Sequence, residues 1–415
     1  MTEIEELQKN KIGILGFGQE GQAVLKYLAK HGLAATIFDQ HETVVPSELQ
    51  ASVVEVVSGE NYLDSIAQCT LLFRSPGIWR KHPQILNAEQ QGSIITSQTK
   101  WFFEHCPAKI VGVTGTKGKG TTSSLIYEIL KASGKTEGQD IFLTGNIGKI
   151  QPLEFLDNLT TENIAVYELS SFQLQDLTQS PQIGICVMTT SDHLNHHEDL
   201  GEYHSAKSSI TAFQTSEDIA IYNADYEASA KIGKEGAGQK LVVSAKTKPQ
   251  AGAYISGDTL LLSSGKEIDC SNRKLRGQHN MENIAAAALA GEALGIDAET
   301  ISEAVNNFAG LEHRLQFAGE FNDVAYYNDS ISTVPDTTIA AINSFDKPIH
   351  LLLGGSDKGL SYEDMVKEIL QKDNIASITF LGEIGGNIKS LFEAANTSIP
   401  LLGPYEDLSL AINEI

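Results

Sequence analysis

Short apolar runs alternate with amphipathic stretches along most of the chain, and the period of each stretch predicts its element. "KIGILG" is a continuous apolar run, as expected of a strand covered on both faces. "EGQAVLKYLAKHG" places apolar residues at helical spacing and stops at a glycine, and "ATIFD" is a second strand. This is one βαβ unit. Further signals at "SVVEVV", "TLLFRSPG", "HPQILNAEQQG" and "SIIT" extend it into a parallel, Rossmann-like sheet ending near His105.

A second block opens at "AKIVGVTGT" and alternates strands such as "IAVYELS" and "IGICVMTT" with helices. Hairpin signals follow between Ala251 and Lys266, and the Ala-rich helix "NMENIAAAALAGEALG" closes the block. A third block starts near Leu311 with "VAYYND", a helix from Pro335, "IHLLLGG", a helix from Ser361, "SITFLG" and a short "IPLLG", read together as a further parallel sheet. The pattern predicts an α/β protein of three domains. These are a Rossmann-like domain over 1–105, a central P-loop ATPase-type domain over 106–310 and a second Rossmann-like domain over 311–415.

Composition narrows the chemistry. A length of 415 residues exceeds what one core supports, and no apolar run approaches the ~20 residues needed to cross a bilayer. The start "MTEIEELQKN" is acidic and polar, unlike a secretory or transit peptide, so a cytoplasmic location is expected. Cys69, Cys106, Cys186 and Cys270 lie far apart with no CxxC spacing, which predicts free thiols. The net charge of −23 argues against nucleic-acid and anionic-membrane partners, so any anionic ligand must be held by local loops.

Three loops at strand ends qualify. "GFGQEG", Gly16 to Gly21, fits the dinucleotide fingerprint, with Asp39 at the end of the second strand. Taken alone it is compatible with a tight turn or with a nucleotide ligand. "RSPG", Arg74 to Gly77, follows another strand at the same sheet edge.

"VGVTGTKGKGTTSSL" is more specific: Gly115, Gly118 and Gly120 surround Lys119, and Thr121 and Thr122 open a helix whose N-terminus favours phosphate. The strict Walker A spacing is not met, because Val113 stands six before Lys119 and Gly120 directly after it. A magnesium-binding hydroxyl would then come from Thr121. Glu168 in "ELSSFQL" ends a strand, where a carboxylate suits magnesium. Asp192 and His193 in "TTSDHLNHHEDLGEYHSAK" follow a further strand, with Lys207 downstream in a helix. The histidines there lack a clear fourth ligand, which makes zinc a poor fit. Lys207 by itself also reads as a surface lysine on an amphipathic helix.

The ordered set "GTKGKGTT", "TGNIG", "ELSSFQL", "DHLNHH", "GQHNMENIAAA", "EHRLQF" and "NDSISTVPDTTIAAI" resembles the Mur ligases, the ATP-dependent enzymes that build the peptidoglycan peptide stem. The resemblance covers nearly the whole chain and is greatest to the glutamate-adding branch. It implies that the carboxylate of UDP-N-acetylmuramoyl-L-alanine attacks the γ-phosphate of ATP, and that glutamate's amine then attacks the acyl phosphate. It implies ATP contacts at Gly115, Thr116, Lys117, Gly118, Lys119, Gly120, Thr121 and Thr122, and at Asn280, Arg314 and Asp329. Lys119, Glu168, His193 and Lys207 would be catalytic, with two magnesium ions served by Thr121, Glu168, His193 and Lys207, the last as a carbamate. The UDP-sugar would be held by Gln19, Glu20, Asp39, Gln40, Ser75, Gly77, Asn146 and His193.

For the incoming amino acid the resemblance implies Ser332, Thr333 and Lys358. Ile331 stands where many members have lysine, an arrangement shared by an L-glutamate-adding relative, so both glutamate enantiomers are candidates. The family's last strand and helix, with an "LSPA.ASFD.F" motif, have no counterpart before Ile415, and a segment that helps bind glutamate is therefore expected to be missing. That gap leaves a non-catalytic, degenerate relative as the rival expectation. A monomer is expected.

Overall fold

In the computed structural model, residues 3–148, 150–190, 200–356 and 359–413 are described. The chain divides into two compact units, Met1–Asn272 with Met281–Phe308, and Arg273–Asn280 with Ala309–Ile415. The α/β fold with parallel sheets expected from the periodicity is present.

The first unit holds two sheets. Strands β1 (Ile12–Leu15), β2 (Ala35–Asp39), β3 (Val53–Ser58), β4 (Leu71–Arg74) and β5 (Ile94–Thr96) form a parallel sheet in the order β3-β2-β1-β4-β5. All four residues of β1 are buried, as its unbroken apolar run requires. The helix Gln19–Lys30 buries Ala23, Val24, Tyr27 and Leu28 on one stripe. Gly32 ends it at φ +69°, a left-handed position that glycine adopts without a Cβ penalty.

The second sheet comprises β6 (Lys109–Thr114), β7 (Ile141–Gly145), β8 (Ile164–Glu168), β9 (Ile183–Cys186), β10 (Ile219–Asn223), β11 (Gln239–Ser244), β12 (Gly252–Ser256), β13 (Thr259–Leu262) and β14 (Glu267–Asp269). Their order is β14-β13-β12-β11-β10-β9-β6-β8-β7, parallel except for the terminal β12-β13-β14 meander. One core cluster runs through both sheets. Phe73 of β4 packs on Trp101 with ring centroids 5.5 Å apart, and Phe102 packs on Tyr167 of β8 at 5.7 Å.

In the second unit, β15 (Gln316–Phe321) and β16 (Val324–Asn328) form an antiparallel pair. The strands β17 (Ile349–Gly354), β18 (Ile375–Leu381) and β19 (Leu401–Tyr405) make a separate parallel sheet over a core that includes Ile378, Phe380, Ile388 and Phe392. "VAYYND" therefore does not join the parallel sheet as expected. Asn322 and Asp323, at φ +49° and +62°, close a two-residue turn of the type that matches hairpin twist, and this turn pairs β16 with its neighbour in sequence. Among the described residues no helix is long and apolar enough to cross a membrane.

Candidate active site

Register brings the carboxyl ends of four strands of the second sheet together. Val113 of β6 lies opposite Glu168 of β8, Gly145 of β7 lies opposite Glu168 on its other side, and Thr114 pairs with Cys186 of β9. Ligands gather at this edge in open parallel sheets. The loop after β6 crosses it and is tied down there: the Thr116 amide donates to the Met188 carbonyl at 2.7 Å, and the Lys117 amide donates to the same carbonyl at 3.3 Å.

The glycines of this loop have distinct reasons. Gly115 sits at φ +154°, where an added Cβ would meet Val187 Cγ2 at 2.6 Å. Gly118, at φ +88°, leads into the helix Lys119–Ala132, whose first-turn amides have no intrahelical acceptor. Lys119 Nζ curls back over the loop and donates to the carbonyls of Gly115 and Thr116, each at 3.0 Å. Thr121 is 6% exposed and Thr122 fully buried, both in that first turn.

Lys207 arrives from the helix Leu200–Ser208 and is buried, not at the surface. Its Nζ donates to the Gly115 carbonyl at 3.1 Å and to Thr114 Oγ1 at 3.4 Å, and lies 4.7 Å from the Tyr203 ring centre. Tyr203, whose hydroxyl is 2.9 Å from Thr116 Oγ1, joins the same cluster. Glu168 is 7% exposed and closes β8. After it, Ser170 accepts from the Gln173 amide in a capping box that fixes the turn. The Asn146 amide donates to the Glu168 carbonyl at 3.3 Å. Lys119, Thr121, Glu168, Lys207 and Asn146 thus share one sheet edge. His193, with Asp192, lies outside the described residues.

The first sheet carries a second concavity at its own carboxyl edge. A cavity of about 440 Å³ is lined by Gly16, Asp39, Gln40 and Gly77, and also by His41, Glu60, Tyr62, Ile78, Trp79 and His82. The latter six come from loops without a hydrophobic period, where nothing in the sequence pattern marks a ligand surface.

The fingerprint glycines are structural here. A Cβ on Gly21 would come 2.1 Å from the Gly16 carbonyl oxygen, and Ser75 Oγ donates to that same oxygen at 2.9 Å. Asp39 spends its carboxylate on the loops: Oδ2 accepts from the Phe17 amide at 2.7 Å and Oδ1 from the His41 amide at 2.8 Å. Gln19 and Glu20 open the helix Gln19–Lys30. Glu20 accepts from Gln173 Nε2 at 2.9 Å, while its Oε2 is buried with no hydrogen-bond partner. Burial pushes the Glu20 carboxyl up to about 7, against smaller downward pulls from the Gln173 bond and the Arg74 charge.

In the second unit, Arg276 lies over the rings of Tyr327 and Phe345, 5.3 and 5.4 Å from their centres. Asn280 Nδ2 donates to the Arg276 carbonyl at 2.6 Å. Asp329 Oδ1 accepts from the amide of Leu315, next to Arg314, at 2.9 Å, and its Oδ2 accepts from Ser332 Oγ at 2.5 Å. Arg314, Asp329 and Ser332 are therefore near neighbours. Thr333 is exposed, and Lys358 lies outside the described residues.

Known proteins match this arrangement along most of its length. Residues 10–97 match the family model of the Mur ligase MurD-like N-terminal domain, and residues 113–291 that of the Mur ligase middle domain. The UDP-N-acetylmuramoylalanine--D-glutamate ligase of Clostridium botulinum (strain Loch Maree / Type A3) is 36% identical over 394 residues, 93% of this chain and 84% of that protein. The protein of the same name from Clostridium tetani is 35% identical over 412 residues, 98% and 87% of the two chains.

Among solved structures, MurF from Acinetobacter baumannii aligns with a TM-score of 0.59 at 15% identity, covering 96% of this chain and 88% of its own. The UDP-N-acetylmuramate-alanine ligase of Thermotoga maritima aligns at 0.58 and 17%, covering 95% and 90%. At these identities the two structures speak for the fold alone. The sequence relatives go further: more than a third of positions are identical to the first of them across most of both chains, and on that ground this chain belongs to the Mur ligase family.

Proposed function

We propose that this protein joins glutamate to the carboxylate of UDP-N-acetylmuramoyl-L-alanine through an acyl phosphate. As a family member it is an ATP-dependent, ADP-forming amide ligase of peptidoglycan synthesis. The observation that carries the finer reading is the shared sheet edge of Lys119, Glu168 and Lys207, with a separate nucleotide-sized cavity on the neighbouring sheet of the same unit. Three domains, 1–105, 106–310 and 311–415, would divide the work between the UDP-sugar, ATP and the amino acid.

The residues present fit the chemistry. Helix-terminal amides and Lys119 suit the β- and γ-phosphates. Glu168 and Thr121 offer hard oxygen donors suited to magnesium, which when bound neutralises phosphate charge. Among the described residues no group of three His, Cys, Asp or Glu side chains is placed to hold a metal, so phosphate oxygens and water would complete that shell. We assign His193 and a carbamate of Lys207 to a second magnesium.

In the first sheet, Gln19, Glu20, Gln40, Ser75 and Gly77 would meet the UDP portion, with Asp39 holding the loops that shape its pocket. Asn280, Arg314 and Asp329 are read as nucleotide contacts, and Ser332, Thr333 and Lys358 as contacts for the amino acid. With the sugar substrate's carboxylate beside the γ-phosphate, its attack releases ADP. Attack by the glutamate amine then expels phosphate and leaves the amide.

The test is phosphate release from ATP with UDP-N-acetylmuramoyl-L-alanine, supplying D-glutamate, L-glutamate or neither. Release with D-glutamate supports the reading. Release with L-glutamate alone favours the arrangement that Ile331 shares with the L-glutamate-adding relative, and no release with either amino acid overturns the reading.

A further inference from the structure

Arg74 closes β4 with its side chain 1% exposed, and so deep a guanidinium persists only when its donors are met. Its Nε and Nη2 donate to Asp176 Oδ2 at 3.2 and 2.5 Å. Nη1 donates to three carbonyls of one loop, those of Ser75 at 3.3 Å, Pro76 at 3.4 Å and Ile78. Nη2 also donates to the Phe172 carbonyl at 3.3 Å. Asp176, 3% exposed, gives its other oxygen to Arg80 Nε at 3.1 Å, and Arg80 in turn forks onto Glu89 at 2.8 and 2.5 Å.

The two sides of this network belong to different sites. The loop it grips supplies Gly77, Ile78 and Trp79 to the 440 Å³ cavity of the first sheet. Phe172 and Asp176 belong to the segment that follows Glu168 on the second sheet. One side chain therefore fixes the rim of the cavity against the turn beside the phosphate loop.

We propose that Arg74 is a positioning residue: through the carbonyls of residues 75, 76 and 78 and through Asp176, it sets the cavity rim against the Glu168 turn, so that a substrate anchored by its nucleotide presents its far carboxylate to ATP. The inference rests on the reading of the cavity as the nucleotide end of the UDP-sugar site. A substrate gripped at one end and reacting at the other is sensitive to the angle between grip and reaction centre, and small misplacements are costly in rate. Lysine cannot replace the fork, because its three donors radiate from one atom whereas guanidinium spreads five in a plane.

The test uses the full chain with Arg74→Lys. Calorimetry measures the affinities for UDP and ADP, steady-state kinetics gives kcat and the KM for UDP-N-acetylmuramoyl-L-alanine, and thermal melting gives Tm. The expected result is weaker UDP binding by about tenfold, unchanged ADP binding, and kcat lowered by about tenfold even when the sugar substrate saturates. A fall in Tm with UDP affinity, ADP affinity and kcat all unchanged would mean a purely structural ion pair and overturn the proposal.

If Arg74→Lys does not fold, Asp176→Asn serves instead. It leaves the guanidinium on the rim carbonyls and weakens the tether to Asp176 together with the Arg80 contact, so kcat should fall while UDP affinity holds; an unchanged kcat overturns the proposal. A parent protein that binds ADP but not UDP removes the cavity reading and this inference with it. A parent that binds UDP no better than Arg74→Lys, with equal kcat, removes the role of Arg74 alone.

Discussion

Gly118 and Asn283 are so close that a β-carbon on the glycine would stand 2.2 Å from the Asn283 Oδ1 atom. Gly118 also has φ +88°, where a side chain is strained. Asn283, 6% exposed in the helix Gln278–Ala293, lies against the glycine loop, so a side chain at 118 must push the Asn283 amide aside as well as bear the left-handed backbone. Gly118→Ala should destabilise the first unit by about 1–2 kcal/mol and lower ATP turnover far more than that loss of folded protein explains. Thermal melting and phosphate release, measured together, check this. Turnover equal to the parent's would show that the loop tolerates another path.

Lys119 spans its own loop, with Nζ on the carbonyls of Gly115 and Thr116. These bonds hold a cation across the loop, at the N-terminus of the helix Lys119–Ala132, and would give way to phosphate oxygens. Lys119→Ala should therefore cut phosphate release by orders of magnitude, as loss of a charge-stabilising donor does. Its cost in stability should stay at about 1 kcal/mol, since the Gly115 and Thr116 carbonyls that lose a donor are neutral acceptors. Activity within a few fold of the parent would sink the assignment.

The two sheets of the first unit were legible in sequence because strands covered on both faces leave continuous apolar runs, and "KIGILG" and "KIVGVT" are such runs. Loop glycines were legible too, since strand, glycine loop and helix follow in order. The Arg74–Asp176 pair was not: the partners are 102 residues apart, and an arginine beside a turn ordinarily faces water. The cavity walls Tyr62, Trp79 and His82 come from irregular segments where no period marks orientation. The strand β16 was recognised as a strand, but its partner was not. The partner, "QFAGEF", has no β-branched residue, and its pairing is dictated by the Asn322–Asp323 turn.

Glu20 ties proton uptake to folding. With its carboxyl raised from 4.5 to about 7, the unfolded chain gives up this proton at lower pH than the folded one. The contribution of Glu20 to stability is whole below about 4.5, declines as pH rises, and is gone above about 7, a change of roughly 3 kcal/mol. Glu20→Gln retains an oxygen for the Gln173 bond and cannot ionise. The variant should match the parent's Tm at about pH 4 and exceed it by a few degrees at about pH 8. A difference in Tm that is the same at both values would mean that Glu20 titrates alike folded and unfolded.

Lys207 poses the sharpest question of charge. As an ammonium it is already satisfied, with Nζ on the Gly115 carbonyl and Thr114 Oγ1 and the Tyr203 ring beneath it. As a carbamate it would bring two anionic oxygens toward a backbone carbonyl and toward bound phosphates, an arrangement that a bound cation such as magnesium would offset. Formation is balanced: the neutral amine attacks carbon dioxide, an N–C bond forms and one proton leaves. Carbamylation should therefore depend on the metal. With ¹³C-labelled bicarbonate, the parent should show a carbamate carbon signal that strengthens with magnesium and ADP and is absent from Lys207→Ala. That variant should be nearly inactive and regain part of its activity with acetate, which can occupy the vacated anion position. Full activity of Lys207→Ala in bicarbonate-depleted buffer would leave the lysine only the task seen here, pinning the helix Leu200–Ser208 to the phosphate loop.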